Sequence, residues 1–206
     1  MNDMKPMDIE LQSFEIITRE LGGRIIPSDH ELILKRVIHA SADFEYADNL
    51  RISDGAVHHT IDAIRNGCDI VTDTQMVKSG INKTILTELG GEVHCFMSDD
   101  DVAAEAKSRD TTRAIVSMER AAKLDKPCIF AIGNAPTALI TIHELITQGK
   151  IEPVLVIGVP VGFVNVVEAK ELIMTADVPY IVARGRKGGS NIAAAICNAL
   201  IYQVKR

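Results

Sequence analysis

Five short apolar runs, at 69–73, 92–97, 128–132, 154–159 and 180–183, recur along this chain. Each is bounded by Gly, Pro or Asp and followed by a stretch of helical periodicity. Apolar runs of that length, alternating with helices, are the pattern of parallel strands joined by right-handed crossovers and buried on both faces. The spacing predicts helices over 75–89, 101–124, 137–148, 166–175 and 191–204. Ahead of them a helix over 8–21 stops at Gly22-Gly23, and another follows Pro27. Ser28 with Glu31 three residues on reads as the capping box of that second helix. A helix over 54–66 ends at Gly67, and 50–52 allows a short strand. No Pro/Ser-rich linker, repeat or low-complexity tract interrupts the pattern. The expectation is one α/β domain over 1–206, a three-layer α/β/α sandwich around a mostly parallel sheet. With 47% hydrophobic residues, no Trp and 4% aromatics, its core must be aliphatic.

Charge and composition exclude several function classes. A net charge of −6 argues against a nucleic-acid partner held by a broad basic face. Positive charge for an anionic ligand must therefore be local. Cys68, Cys95, Cys128 and Cys197 are dispersed without a CxxC pair and read as small buried hydrophobes. The first residues open no apolar signal segment, and 154–167 is broken by Gly158, Pro160 and Gly162. The chain is thus expected to be cytoplasmic, with no membrane partner. His143-Glu144 lacks the second His of a zinc helix, and His58-His59 diverge on any regular element. Three carboxylates, Asp99 to Asp101, already have a structural reason at a helix start. No metal site is expected. There is no GxSxG elbow, no Walker loop and no GxGxxG.

In open α/β sheets, ligands bind beyond the carboxyl ends of the strands. Three loops there carry candidate chemistry. Gly133-Asn134-Ala135-Pro136 could offer helix-start amides to an anion, or be an ordinary strand-to-helix turn. Gly162-Phe163 sits in a loop where Gly allows close approach and Phe could face a flat apolar ligand; Asn165 can cap the helix after it. Arg184-Gly185-Arg186-Lys187-Gly188-Gly189-Ser190 is the one concentrated positive loop in an acidic chain, and reads as a cradle for carboxylate or phosphate, the alternative being a solvated basic turn. Away from these loops, Arg36 and His39 are three apart on one helix face. A guanidinium beside a side chain that exchanges a proton near neutral pH suits a carboxylate-bearing substrate that must be protonated. The alternative is a solvated arginine and a histidine favoured by a helix C-terminus. Arg113, by residue type alone, reads as solvent-facing.

Taken in order, RVIHASAD, GNAPTAL, GVPVGFVNVVEAKE and ARGRKGGSNIAAAICNAL resemble the precorrin-8X methylmutase family of corrin biosynthesis. The resemblance runs from the Ser13-Phe14 helix to the last helix, with no departure at the motif positions. It implies a homodimeric isomerase that moves a methyl group from carbon 11 to carbon 12 of a tetrapyrrole. The product would be hydrogenobyrinate, or cobyrinate in the cobalt route, and no cofactor is required. It implies His39 as the essential histidine and Arg36 as its neighbouring arginine, with Ser13 and Arg113 lining the pocket. Gly133, Asn134, Gly162, Phe163, Arg184, Arg186, Lys187, Gly188, Gly189 and Ser190 complete the expected substrate contacts. Two other classes stay open on the residues alone: a corrinoid carrier that does no chemistry, and a nucleotide-using Rossmann-like enzyme.

Overall fold

The computed structural model describes residues 6–205. The chain opens with three helices, α1 (Pro6–Leu21), α2 (Ser28–Ser41) and the short α3 (Tyr46–Asn49). Strand β1 (Leu50–Ile52), helix α4 (Ala56–Arg65) and strand β2 (Asp69–Thr72) follow. Next come α5 (Gln75–Gly80), α6 (Lys83–Glu88), β3 (Val93–His94), α7 (Asp100–Ser108) and α8 (Arg113–Ala121). Then β4 (Cys128–Ile132), α9 (Pro136–Thr147), β5 (Leu155–Gly158), α10 (Val166–Ile173), β6 (Tyr180–Ala183) and α11 (Ser190–Val204) complete the alternation. The strands form one sheet in the order β1-β6-β5-β4-β2-β3, parallel except for β1, which pairs antiparallel with β6.

The expected three-layer architecture is what the chain adopts. Every residue of β2, β4 and β5 is buried, as continuous apolar strands between two helical layers require. Alternate side chains divide between the layers. Ile70, Ile129, Ala131, Leu155, Ile157 and Ile181 pack with α1, α2, α4, α6 and α11. Val71, Phe130, Ile132, Val156 and Val182 pack with α8, α9 and α10. The four cysteines are free and buried. Desolvation pushes the Cys68 and Cys197 thiols up to about 12 and Cys128 to about 11, so they pack as hydrophobes.

Several local expectations are corrected. The helix expected over 75–89 is two helices, because Asn198 on α11 takes up the backbone at the break. Its carboxamide accepts from the Asn82 amide and donates to the Gly80 carbonyl, both at 2.8 Å. The helix expected over 101–124 also splits: Asp110 turns left-handed at φ 49°, and the Thr112 hydroxyl accepts from the Ile115 amide to start α8. Ser28 is not a capping-box serine. Pro27 is the N-cap without a side-chain bond, and Glu31 pairs instead with Lys35 one turn on. Asn165 caps α10 by position only, in the left-handed region and without a side-chain bond.

Helix α2 ends on an unusual residue. Ala42 stands at φ 53°, and its amide closes onto the Ile38 carbonyl at 2.7 Å. That left-handed cap ordinarily falls to Gly. Asp43 is anchored just beyond, its amide donating to the Ser41 hydroxyl at 3.2 Å. Ala42→Gly should therefore raise stability by about 0.5–1 kcal/mol, the net of relieved left-handed strain against glycine's added unfolded-state freedom. A chemical-denaturation midpoint that falls on this substitution would show that the cap is not strained.

Candidate active site

The carboxyl edge of the sheet brings the end of α2 against the start of α11. Asn191, in the first turn of α11, donates from Nδ2 to the Ala40 carbonyl at 3.2 Å. That bond satisfies one of the carbonyls a helix C-terminus leaves open. It also seats the 184–191 turn beside His39, one residue before Ala40. The imidazole is exposed. Its ring stands edge-on to Phe14 of α1, with centroids 5.7 Å apart and planes at 85°. It makes no hydrogen bond or ion pair among the described residues. His39 is thus held in orientation by packing while both ring nitrogens are left for a ligand.

The turn after β6 is fixed from several sides. Lys170 of α10 is fully buried, and its Nζ donates to the carbonyls of Gly185 and Lys187, each at 2.8 Å. The Gly162 amide, from the loop after β5, donates to the Arg186 carbonyl at 3.2 Å. Gly188 cannot be any other residue: a Cβ there would stand 2.1 Å from the Val159 carbonyl oxygen. Gly189, at φ 137°, donates its amide to that same oxygen at 2.8 Å. Ser190 shares a hydrogen bond with the Thr74 hydroxyl at 3.0 Å.

The three cations of this turn behave differently. Arg184 folds back onto α10 in a bidentate pair with Glu171, 2.8 Å on both arms. Lys187 pairs with Asp43 and Glu45, tying the turn to the end of α2 and holding the Asp43 carboxyl below its ordinary value. Arg186 meets no carboxylate among the described residues; its guanidinium lies 5.5 Å from the centre of the Phe163 ring. Phe163 and Val164 are 83% and 76% exposed, an apolar shelf beside the turn. Of the three cations expected to build the cradle, one is left without an acidic partner among the described residues, because carboxylates from α10 and the α2–α3 turn pair with the other two.

Sequence reasoning missed the group that organises the next loop. Asp73, at the end of β2, is completely buried. Its carboxylate accepts from the amides of Gly133, Asn134 and Ala135 at 2.9, 2.8 and 2.7 Å. Burial pushes this carboxyl above its ordinary value, and the three amides oppose that push. The amides expected to receive a ligand anion are therefore already taken by an internal one. Gly133 is small for a structural reason as well, since a Cβ there would meet the Ser190 Cα at 2.8 Å. Only the exposed side chain of Asn134 remains available at this loop.

Three further expected residues are engaged elsewhere in different degrees, Arg36 sharing the Phe14 ring with His39. The Arg36 guanidinium pairs with Glu10 and lies over the rings of Tyr202 and Phe14, 4.5 and 5.5 Å from their centres. The Ser13 hydroxyl bonds back to the Ile9 carbonyl at 2.8 Å. Arg113 is the exposed first residue of α8, a helix that packs on the opposite face of the sheet from α2. Lys170 could have been read from the sequence: Val166, Ala169, Lys170 and Ile173 share one face of α10, and a lone cation on an apolar stripe is a buried lysine.

Two measurements test these buried charges. Asp73→Asn keeps the shape but sets an NH2 against backbone donors, and should cost about 2–3 kcal/mol in urea unfolding; an unchanged midpoint would remove Asp73 from its organising role. Burial lowers Lys170 from 10.5 to about 8. Between those pH values the unfolded chain binds more protons than the folded one, so stability rises with pH there. The folded state bears the strain of the charge below about 8. The wild-type chain should therefore gain stability relative to Lys170→Met as pH climbs through that window. Parallel stability curves for the two proteins would contradict it.

The family model for precorrin-8X methylmutase matches residues 8–203. The chain is 47% identical over 197 residues to the cobalt-precorrin-8 methylmutase of Priestia megaterium, covering 96% of this chain and 88% of that one. It is 44% identical over 209 residues to the cobalt-precorrin-8 methylmutase of Salmonella typhimurium, covering 98% and 97%. Its identity to the precorrin-8X methylmutase of Pseudomonas aeruginosa is 40% over 192 residues, covering 92% and 91%. Among solved structures, the precorrin-8x methyl mutase of Thermus thermophilus superposes with a TM-score of 0.87 at 41% identity, over 95% of this chain and 96% of that one.

Proposed function

This chain belongs to the precorrin-8X methylmutase family and is an isomerase of corrin biosynthesis, and on that premise we propose how its residues carry out the methyl shift. The substrate class is precorrin-8X or cobalt-precorrin-8, since relatives of both names match; any cobalt belongs to the substrate. A methyl group passes from carbon 11 to carbon 12 within one molecule, so the reaction calls for no external oxidant or reductant. His39, as the imidazolium, lends a proton to a ring nitrogen near the migrating methyl. Withdrawing electron density there lowers the barrier to a sigmatropic shift, and the proton returns afterwards.

The single observation that carries this reading is the His39 imidazole itself. It is exposed, oriented by Phe14 and without a hydrogen bond or ion pair among the described residues, beside a turn rich in glycine and an apolar shelf. Arg186 and the backbone amides of that turn fit the acetate and propionate arms of the macrocycle. Phe163 and Val164 fit its flat apolar face. The Asn134 and Ser190 side chains sit on the same edge. The chain acts as one domain, in the cytoplasm, and as a homodimer. Among the described residues, no helix is long and apolar enough to cross a membrane. A nucleotide reading loses its support, because Asp73 already fills the helix-start amides where a phosphate would lie.

Replacing His39 with Ala should lower kcat by about 10²–10⁴-fold, the usual worth of a positioned proton donor. Affinity for the corrinoid product should stay within a few-fold, read by the change in visible absorption on binding. Turnover close to wild type would remove His39 from the chemistry. Tight binding by wild type without any turnover would favour a carrier.

A further inference from the structure

We propose that Lys170 is a positioning residue that shapes the 184–189 turn into an anion cradle, resting on the reading that this turn grips substrate carboxylates. Lys170 is fully buried and meets no carboxylate among the described residues; its ammonium bonds only the carbonyls of Gly185 and Lys187. A trans peptide is planar, with its C=O and the following N–H opposed. Aiming the Gly185 and Lys187 carbonyls inward at Nζ therefore aims the Arg186 and Gly188 amides away from it. The Gly162 amide fixes the peptide between them by holding the Arg186 carbonyl. Among the described residues, the amides of Gly185 to Gly188 donate to nothing. Arg186, the one cation of the turn without a carboxylate, belongs to the same stretch.

The charge of Lys170 gives the arrangement its purpose. An unpaired buried ammonium is costly, and two carbonyl dipoles offset only part of that cost. A carboxylate bound on the outer side of the same peptides would supply the missing counter-charge across a single layer of backbone. A neutral amide donor could hold the carbonyls without offering that attraction. Lys170 thus acts on the ligand through the turn it holds, not by touching the reacting atoms.

The test compares Lys170→Met, Lys170→Gln and Arg186→Ala with the wild-type enzyme, reading kcat, KM, affinity for hydrogenobyrinate and thermal unfolding. Lys170→Met should raise KM and weaken product binding by about tenfold or more, as loss of a held charge-assisted cradle implies. Its kcat should fall by less than about threefold, the split expected when uniform binding is lost. Lys170→Gln, which keeps N–H donors but not the charge, should lie between, and it carries the comparison if the methionine variant does not fold. If Arg186→Ala raises KM while both Lys170 variants leave it unchanged, Lys170 serves packing alone and the proposal falls. If neither Arg186→Ala nor the Lys170 variants move KM, the turn is not the carboxylate grip, and the reading beneath the proposal fails instead. A fall in kcat with KM held would also overturn it.

Discussion

The Asp73 carboxylate does for the carboxyl edge of the sheet what an ion pair would do less well. It follows β2 and receives three successive amides of the loop leaving β4, so two neighbouring strands are locked at their carboxyl ends. Backbone donors buried at a strand end need an acceptor, and here one side chain serves three of them. The same loop bears Gly133, pressed against Ser190, so the position of α11 depends on it as well. Lys170 mirrors the arrangement two strands away, a buried cation held by carbonyls as Asp73 is a buried anion held by amides. Among the described residues, neither charge has a side-chain counter-ion. Both are balanced by main chain, and the main chain is thereby given one conformation.

How legible this was depends on the range of the interactions. The strands were readable because burial on both faces leaves continuous apolar runs, and β2, β4 and β5 lie within the runs seen in the sequence. Helix breaks were not, where a distant residue imposed them. Asn198 holds the α5–α6 break from 116 and 118 residues away. The Asp110 break was local, but only the sign of its φ reveals it. At the site, the motifs pointed to His39 and to the 184–190 turn, and the fold does seat these side by side. The fates of individual cations were hidden. Glu10 lies 26 residues from Arg36, Glu171 13 from Arg184, and Asp43 144 from Lys187. A single sequence shows the charge and not its partner.

Pairing has consequences for how a polyanion can be recognised. The chain carries a net charge of −6, so a substrate bearing many carboxylates gains nothing from the overall field. Screening limits that field to about 8 Å at physiological ionic strength. Attraction has to come from groups in contact. With Arg184 and Lys187 neutralised by neighbours, the contact donors left at the turn are Arg186 and backbone amides. Amides carry fixed dipoles at fixed positions, so they discriminate by geometry where flexible lysines would not.

That geometry also explains why the paired cations are there at all. Arg184 and Lys187 brace the turn from two directions, against α10 and against the α2–α3 turn, while Lys170 holds it from below. Asn191 closes the fourth side on Ala40, next to His39. His39 and the 184–191 turn are therefore parts of one edge and not two loops that must meet, which is what the proposed proton donor and anion grip require. On the proposed mechanism, an isomerisation with no external reactant asks the protein to fix a large ring relative to one acid. An imidazole packed on Phe14 and a turn braced on every side supply that fixed distance before the ligand arrives.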